Sequence, residues 1–460
     1  MATTALDRRG RLRVLVICCT SLFIVGLDNT IVNVALPSIR HDLDASVSQL
    51  QWTVDAYTLV LASLLMLAGS TADRLGRVRV FQVGLTVFTI GSIACAAAPN
   101  VETLIVFRMV QAVGGSMLNP VAMSIIRNTF HDPRERAQAI GIWAAVVGIS
   151  LALGPVVGGA LVELSWRAIF LVNIPVGLAA IALTARYVPE SRAPHGRRID
   201  PVGQVLVIVM LASLVYGIIE SAPVFYAVAA VALVALLAYE PRRREPLIEL
   251  RFFGSVPFAG ATVIAVAAFA GLAGFLFLNT LYLQDARGYS PLHAGLLTLP
   301  MAAVTVVGAP LSGRIVGARG TRIPLLIGGA GMTISALMLT GVTATTSLGW
   351  LIAAYVVFGI GFGVVNPPIT NTAVSGMPPA QAGVASAVAS TSRQVGNSLG
   401  VAVVGATLHA ALPTTAHAGW WIVAGCGVVV FALGMATTTP WAQKTATETA
   451  QRLREPEVAA

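Results

Sequence analysis

From near its start to residue 438 the chain alternates long apolar runs with short polar breaks, and fourteen of the runs are long enough to cross a bilayer as helices. A hydrocarbon core about 30 Å thick takes about 20 apolar residues per helical crossing. The runs cover 13–36, 51–72, 80–98, 103–126, 137–162, 167–187, 202–219, 224–240, 258–283, 294–313, 323–344, 348–370, 382–411 and 419–438. The pattern predicts an all-α membrane protein. The first run follows Arg8, Arg9, Arg11 and Arg13, as the apolar part of a secretory leader would, but it is too long for one and no small-residue cleavage site follows. It is therefore kept as the first span.

The polar breaks carry charge asymmetrically. With an even number of spans both termini lie on one side, and 24 of the 29 basic residues fall there; Arg40, Arg167 and Arg287 fall on the other side, and Arg108 and Arg393 lie within spans. Positive charge in short loops is retained in the cytoplasm, so both termini are expected to be cytoplasmic. The same asymmetry accounts for the net charge of +9 without a nucleic-acid partner. Hydrophobic residues make up 56% of the chain and charged residues only 11%, a composition suited to the lipid bilayer as partner. Twenty-eight of the 29 basic residues are Arg, and with abundant Ala, Val and Gly this points to a GC-rich bacterial genome and hence to a bacterial cytoplasmic membrane.

Catalytic chemistry finds no footing. The four cysteines, Cys18, Cys19, Cys95 and Cys426, lie in spans without metal-ligand spacing, and the six histidines form no cluster with a nucleophile. There is no phosphate-cradling loop, so ATP is not the direct energy source. The expectation is a non-enzyme without metal or cofactor, driven by an ion gradient.

One motif occurs twice. "GSTADRLGRVRV", Gly69 to Val80, stands between spans 2 and 3, and the weaker "SGRIVGARGTR", Ser312 to Arg322, between spans 10 and 11. Each copy falls after the second helix of a six-helix half if residues 1–200 are one half, 258–440 the other, 201–257 two inserted helices with a linker, and 441–460 a tail. Two halves related by an axis along the membrane normal form one architecture of secondary transporters, with the binding site at the midplane.

Six motifs in order give the chain a family resemblance. "LDNTIVNVALP" from Leu27, "WTVDAYTL" from Trp52, "GSTADRLGRVR", "RMVQAVGGSML" from Arg108, "GISLALGPVVGGAL" from Gly148 and "WRAIFLVNIPVG" from Trp166 resemble those of the major facilitator superfamily, in its fourteen-span drug:proton antiporter family. Ala112 stands where a glycine often follows the glutamine of the fourth motif. The resemblance implies the major facilitator fold and proton-coupled export of amphipathic drugs or antibiotics by alternating access. A monomer is expected.

The residues have a physical reading of their own. A carboxylate within a span costs about 3 kcal/mol unless it faces a cavity, finds a partner or takes a proton, so Asp28 is expected to face inward, beside Asn29 and Asn33 on a polar side of span 1. Asp55 repeats the theme in span 2, and Arg108, Gln111, Gly115 and Asn119 form a polar and small stripe on span 4. Arg108 cannot lose its charge and needs an anion, for which Asp28 and Asp55 are the carboxylates at its depth. Either Asp28, with Asp55 and Arg108, is a proton-coupling site and Asp28 the carrier, or the charges form a permanent structural pair.

In the span 2–3 turn, Asp73, Arg74, Gly76 and Arg77, joined by Arg136 of the next cytoplasmic loop, are either a gate, with Asp73 accepting backbone N–H groups at the start of a helix in the other half and so locking the outward-facing state, or a basic topology signal. Gly148, Gly154, Pro155, Gly158 and Gly159 let span 5 approach a neighbour closely, and the resemblance adds a bend and a seal between halves. Tyr57, Trp143, Phe275, Asn279, Tyr282, Phe362 and Asn366, with Asn33 and Gln111, are candidate substrate contacts, each with ordinary packing as the alternative. Arg393 in span 13 is left without an assigned role. Two rival functions stand beside drug efflux: export of an endogenous product such as a self-made antibiotic, siderophore or lipid, and a non-transporting sensor, which lacks a soluble domain of useful size.

Overall fold

The computed structural model describes residues 7–192, 200–243, 246–374, 382–410 and 416–454. Every regular element among them is helical, and the helices sort into two compact units.

The first unit contains α1 (Arg8–Leu43), α2 (Val47–Leu75), α3 (Arg77–Ala96), α4 (Val101–Thr129), α5 (Pro133–Val162), α6 (Ala168–Leu171) and α7 (Asn173–Tyr187), together with residues 290–296. Its helix starts are written in the sequence. Ser46 and Gln49 close a capping box at α2, each side chain bonded to the other's backbone N–H at 3.2 and 2.8 Å. Asn100 caps α4 through Thr103 N–H at 2.9 Å, and Asp132 caps α5 ahead of a proline at its first position.

The second unit contains α8 (Pro201–Ile219), α9 (Pro223–Tyr239), α10 (Val256–Leu281), α12 (Leu299–Arg319), α13 (Arg322–Leu339), α14 (Leu348–Val374), α15 (Ala382–Ala406), α16 (Ala416–Ala436) and α17 (Pro440–Arg454), while most of α11 (Pro291–Leu297) belongs with the first unit. The packing repeats between units. In the first, α1 lies on α4, α5 and α7, α3 on α4 and α7, and α2 on α4; in the second, α10 lies on α14, α15 and α16, α13 on α14 and α16, and α12 on α14. One set becomes the other when α1, α2, α3, α4, α5 and α7 are replaced in order by α10, α12, α13, α14, α15 and α16. The paired helices α8 and α9 stand outside this scheme, with Val231, Val234 and Leu237 of α9 exposed as a lipid-facing surface requires.

Twelve helices among the described residues are long and apolar enough to span a membrane, and α5 makes a thirteenth if its two segments, bent by 41° between Leu151 and Leu153, count as one. The fourteenth predicted span is α15. It has the length, at 25 residues, but Ser386, Ser390, Thr391, Ser392, Arg393, Gln394, Asn397 and Ser398 make it too polar to qualify.

Candidate functional site

The side chain that organises the first unit is a charged one. Arg108, two turns into α4, is 1% exposed and is among the largest fully buried side chains. An unpaired guanidinium at such a place would be costly, and three neighbours answer it. Its Nη1 donates to Asp28 Oδ2 at 2.5 Å and to Gln111 Oε1 at 2.6 Å, and its Nε to the Thr53 carbonyl at 3.3 Å. The Tyr57 ring lies 4.1 Å from the guanidinium carbon, a cation–π contact.

Asp28 is equally enclosed, at 0% exposure. Its second oxygen accepts Gln111 Nε2 at 2.9 Å and Asn173 Nδ2 at 3.0 Å, and both amides also donate to Ser92 Oγ, at 2.8 and 3.4 Å. Helices α1, α3, α4 and α7 thus meet at one carboxylate, turned away from lipid into the unit. The pair is neutral as a whole. A proton on Asp28 would cancel its negative charge and leave Arg108 a buried cation without compensation, so protonation and the position of Arg108 are tied together.

The other predicted proton-site residue, Asp55, is also fully buried, and Thr58 donates to its Oδ1 at 3.5 Å on the same helix. Gln111 has both amide hydrogens engaged around Asp28 and acts as part of that site. Asn33 bonds its amide to the Asn29 carbonyl at 3.4 Å, leaving its Oδ1 without a partner; Tyr57 Oη, Asn119 Oδ1 and Trp143 Nε1 are likewise buried and unbonded. These four atoms, on α1, α2, α4 and α5, are part of the first unit's spare hydrogen-bonding capacity, to which Asn173 Oδ1 beside Asp28 also belongs.

At the α2–α3 turn Asp73 binds Arg77 through Nε at 3.2 Å and Nη2 at 3.0 Å. The N–H groups that open α3 go to Glu190, which accepts Val78 N–H at 3.0 Å and Arg79 N–H at 3.2 Å. Gly76 makes this possible: its φ is +113°, and a Cβ there would run into the Glu190 carboxylate. The Arg74 and Arg136 side chains form no bond with another described residue. Gly76→Ala is expected to destabilise the protein by about 1–3 kcal/mol through backbone strain and by displacing Glu190, measurable as a lower melting temperature in detergent; an unchanged melt would show that the turn relaxes freely.

Helix α5 lies along α1 with Gly154 against Thr30 and Gly158 against Ile31, approaches that any Cβ would block. Gly159 abuts the Pro291 carbonyl, and the Pro155 carbonyl faces Gly295, both within the first unit; Gly148 is half-buried. In the second unit Phe275 is packing: it stacks on Phe358 at 4.3 Å and meets Tyr355 and Trp420 edge-on at 5.6 and 5.4 Å. Asn279 accepts the Tyr355 hydroxyl, and Tyr282 donates to the Thr343 carbonyl at 2.6 Å. Phe362 packs on Phe269 at 5.3 Å, and Asn366 Oδ1 is buried without a partner.

Residues 18–401 match the model of the Major Facilitator Superfamily. The chain belongs to that superfamily. It is a multi-pass membrane transporter and not an enzyme. It is 36% identical over 417 residues to the Multidrug resistance protein Stp of Mycobacterium tuberculosis, covering 88% of this chain and 78% of that protein. It is 38% identical over 407 residues to the Methylenomycin A resistance protein of Streptomyces coelicolor, covering 85% and 84%. The structure of a bacterial homolog to the human lysosomal transporter Spinster superimposes with a TM-score of 0.69 at 18% identity, covering 98% of this chain and 100% of that one, a likeness of fold.

For this major facilitator chain three site residues escaped the sequence reading. Asn173 lies in the quoted "WRAIFLVNIPVG" and was the one amide in an apolar run, a signal that was available. Ser92 gave none, since a serine in a helix usually bonds its own backbone, as it does here to the Phe88 carbonyl at 2.9 Å. Glu190 lies outside the spans, 112 residues from the N–H it accepts.

Proposed function

We propose that this protein is a proton-coupled antiporter that exports amphipathic drugs or antibiotics from the bacterial cytoplasm by alternating access, with Asp28 as the proton carrier. The kind of cargo is supported by relatives named for multidrug and methylenomycin A resistance. The proton reading rests on one observation: a fully buried carboxylate whose only cationic partner among the described residues is Arg108, held between amides that fit either protonation state. When Asp28 is ionised the pair is closed. When a proton neutralises it, Arg108 must find other acceptors, and that rearrangement is the step by which protonation moves the helices. Asp55 is a second titratable group beside the path, and the Asp73–Arg77 turn, with Glu190 and Arg136, belongs to the cytoplasmic gate.

The same proposal assigns fourteen spans, with α5 and α15 among them, both termini in the cytoplasm, six-helix halves over 1–200 and 258–440, two inserted helices over 201–257, and a cytoplasmic tail. Asn33, Tyr57 and Trp143 are the first unit's substrate contacts, and Asn366 and Phe362 the second's. A drug-susceptibility panel in an efflux-deficient bacterial host tests export directly: the intact gene should raise resistance to several amphipathic compounds and the Asp28→Asn version should not. No protection by the intact gene against any compound would count against drug export.

Charge also sets a limit on cargo. Between Phe258 and Thr438 the only acidic residue is Asp285, and of the two intramembrane carboxylates in the first half one is bound to Arg108. A dication would therefore lack a second anion, and an unpaired charge in a low-dielectric pocket costs more than aromatic contacts return. Neutral, zwitterionic and monocationic compounds are expected to be exported much better than dications. Matched monovalent and divalent quaternary ammonium compounds check this in resistance assays, where equal protection against the divalent member would refute it.

A further inference from the structure

The second unit holds a half-buried charge for which no ion-pair partner is found among the described residues. Arg393 lies on α15, and its guanidinium reaches two neutral hydroxyls: Nη2 donates to Thr370 Oγ1 at 2.6 Å and Nη1 to Ser390 Oγ at 3.4 Å. Its Nε is buried without any acceptor. Among the described residues no carboxylate comes within ion-pair distance of it.

Nor does α10, the helix packed most closely on α15, bring one to its level. Helices α10 and α15 run in the same direction, with Val266 beside Gly396 and Ala270 beside Gly400. Arg393 is thus level with about residue 263 of α10. Asp285, the sole acid between Phe258 and Thr438, lies beyond the far end of that helix, on the order of 30 Å along it at about 1.5 Å per residue. Arg108 shows what this chain does with an intramembrane arginine that serves the fold: it is given a carboxylate, an amide and a carbonyl from its own unit. Arg393 is given hydroxyls and a free Nε.

The surroundings are those of a binding group. Asn366, one turn before Thr370 on α14, carries a buried side-chain oxygen without a partner. A guanidinium cannot be neutralised by losing its proton, and its planar fork of N–H groups matches an oxyanion with two acceptor atoms. Arg393 is a poor site for a cation and a good one for an acid.

We infer that Arg393, oriented by the Thr370 hydroxyl, is an anion-recognition subsite that takes the acidic group, carboxylate in the first instance, of an amphipathic substrate. The inference deepens the export reading, on which it rests for calling the ligand a substrate. It also gives zwitterions a physical place among the cargoes, because Arg393 offers their acidic group a positive charge.

Binding is measured first, on the purified full-length chain in neutral detergent, which removes anionic lipid as an alternative ligand. The probes are naphthalene-, anthracene- and pyrenebutyric acids, each against its methyl ester, titrated by fluorescence at neutral pH. The wild-type protein is expected to prefer each acid by about tenfold to a hundredfold, the range of a charge-assisted hydrogen bond. Arg393→Gln should erase that preference while leaving ester affinity within about twofold, and Thr370→Val, which keeps the charge but loosens it, should reduce the preference in part. Thr370→Val is the fallback should the glutamine variant fold poorly. Equal affinity for acid and ester in the wild type, or a preference that survives in both variants, overturns the inference. Transport separates the two readings: an acid preference that depends on Arg393 in a protein that moves none of the probes down a proton gradient would overturn export and leave the subsite standing.

Discussion

Asp28→Asn is expected to abolish export driven by an imposed pH gradient in proteoliposomes, while substrate binding to the purified protein persists. The amide keeps the shape of the carboxylate and still offers one oxygen to Arg108, but it cannot take up or release a proton. Loss of coupled transport is thus the signature of a carrier, where a merely structural acid would lose binding and transport together. Uptake at the wild-type rate by the asparagine variant would remove Asp28 from the proton path. The variant carries a cost of its own, because Arg108 is then a buried cation without its anion.

That cost defines the second large effect. Breaking a buried pair by removing one partner typically destabilises by about 3–5 kcal/mol, whereas removing both charges together is often close to neutral. Asp28→Asn and Arg108→Gln should therefore each lower the melting temperature of the detergent-purified protein strongly, and the double variant should recover most of the loss. Transport should stay absent in all three. Recovery of stability without recovery of transport separates the pair's role in holding α1, α3, α4 and α7 together from its role in moving protons. If the double variant melts as low as the sum of the singles, the two residues are not a coupled pair in solution.

Much of this is legible in the sequence. The helices are, because a bilayer forces every span to be apolar over a fixed length and polar breaks are conspicuous against it. The exception, α15, is instructive: its serines, amides and Arg393 make it too polar to stand as a span by composition, and Arg393 is a guanidinium of the second unit without an ion pair among the described residues. The charged members of the site were legible for an equally simple reason. Intramembrane charges are few, so an arginine at mid-helix narrows its partners to a carboxylate at similar depth, and Arg108 takes Asp28.

Neutral polar residues resist this reasoning. Ser92 and Thr89 look alike in sequence, and both bond a carbonyl one turn earlier, yet only Ser92 also accepts the amides of Gln111 and Asn173. A helix tolerates such residues at little cost wherever they fall, so their positions carry little information about distant partners. Aromatic residues resist it too. Phe275 and Tyr282 were as plausible for substrate as Tyr57 and Trp143, and what distinguishes them is tertiary: Phe275 is enclosed by three other rings and the Tyr282 hydroxyl is spent on a backbone carbonyl, while Tyr57 Oη and Trp143 Nε1 have bonds still to make.

The central claim, that protons pass through Asp28 as substrate binds and leaves, is tested most directly by proton counting. Purified protein in weakly buffered detergent solution is mixed with an exported compound, and the proton released is followed with a pH indicator dye. The wild-type protein should release protons in proportion to the substrate bound, and the Asp28→Asn variant, binding the same compound, should release none above the buffer control. Equal release from both proteins would contradict the account and place the proton on another residue.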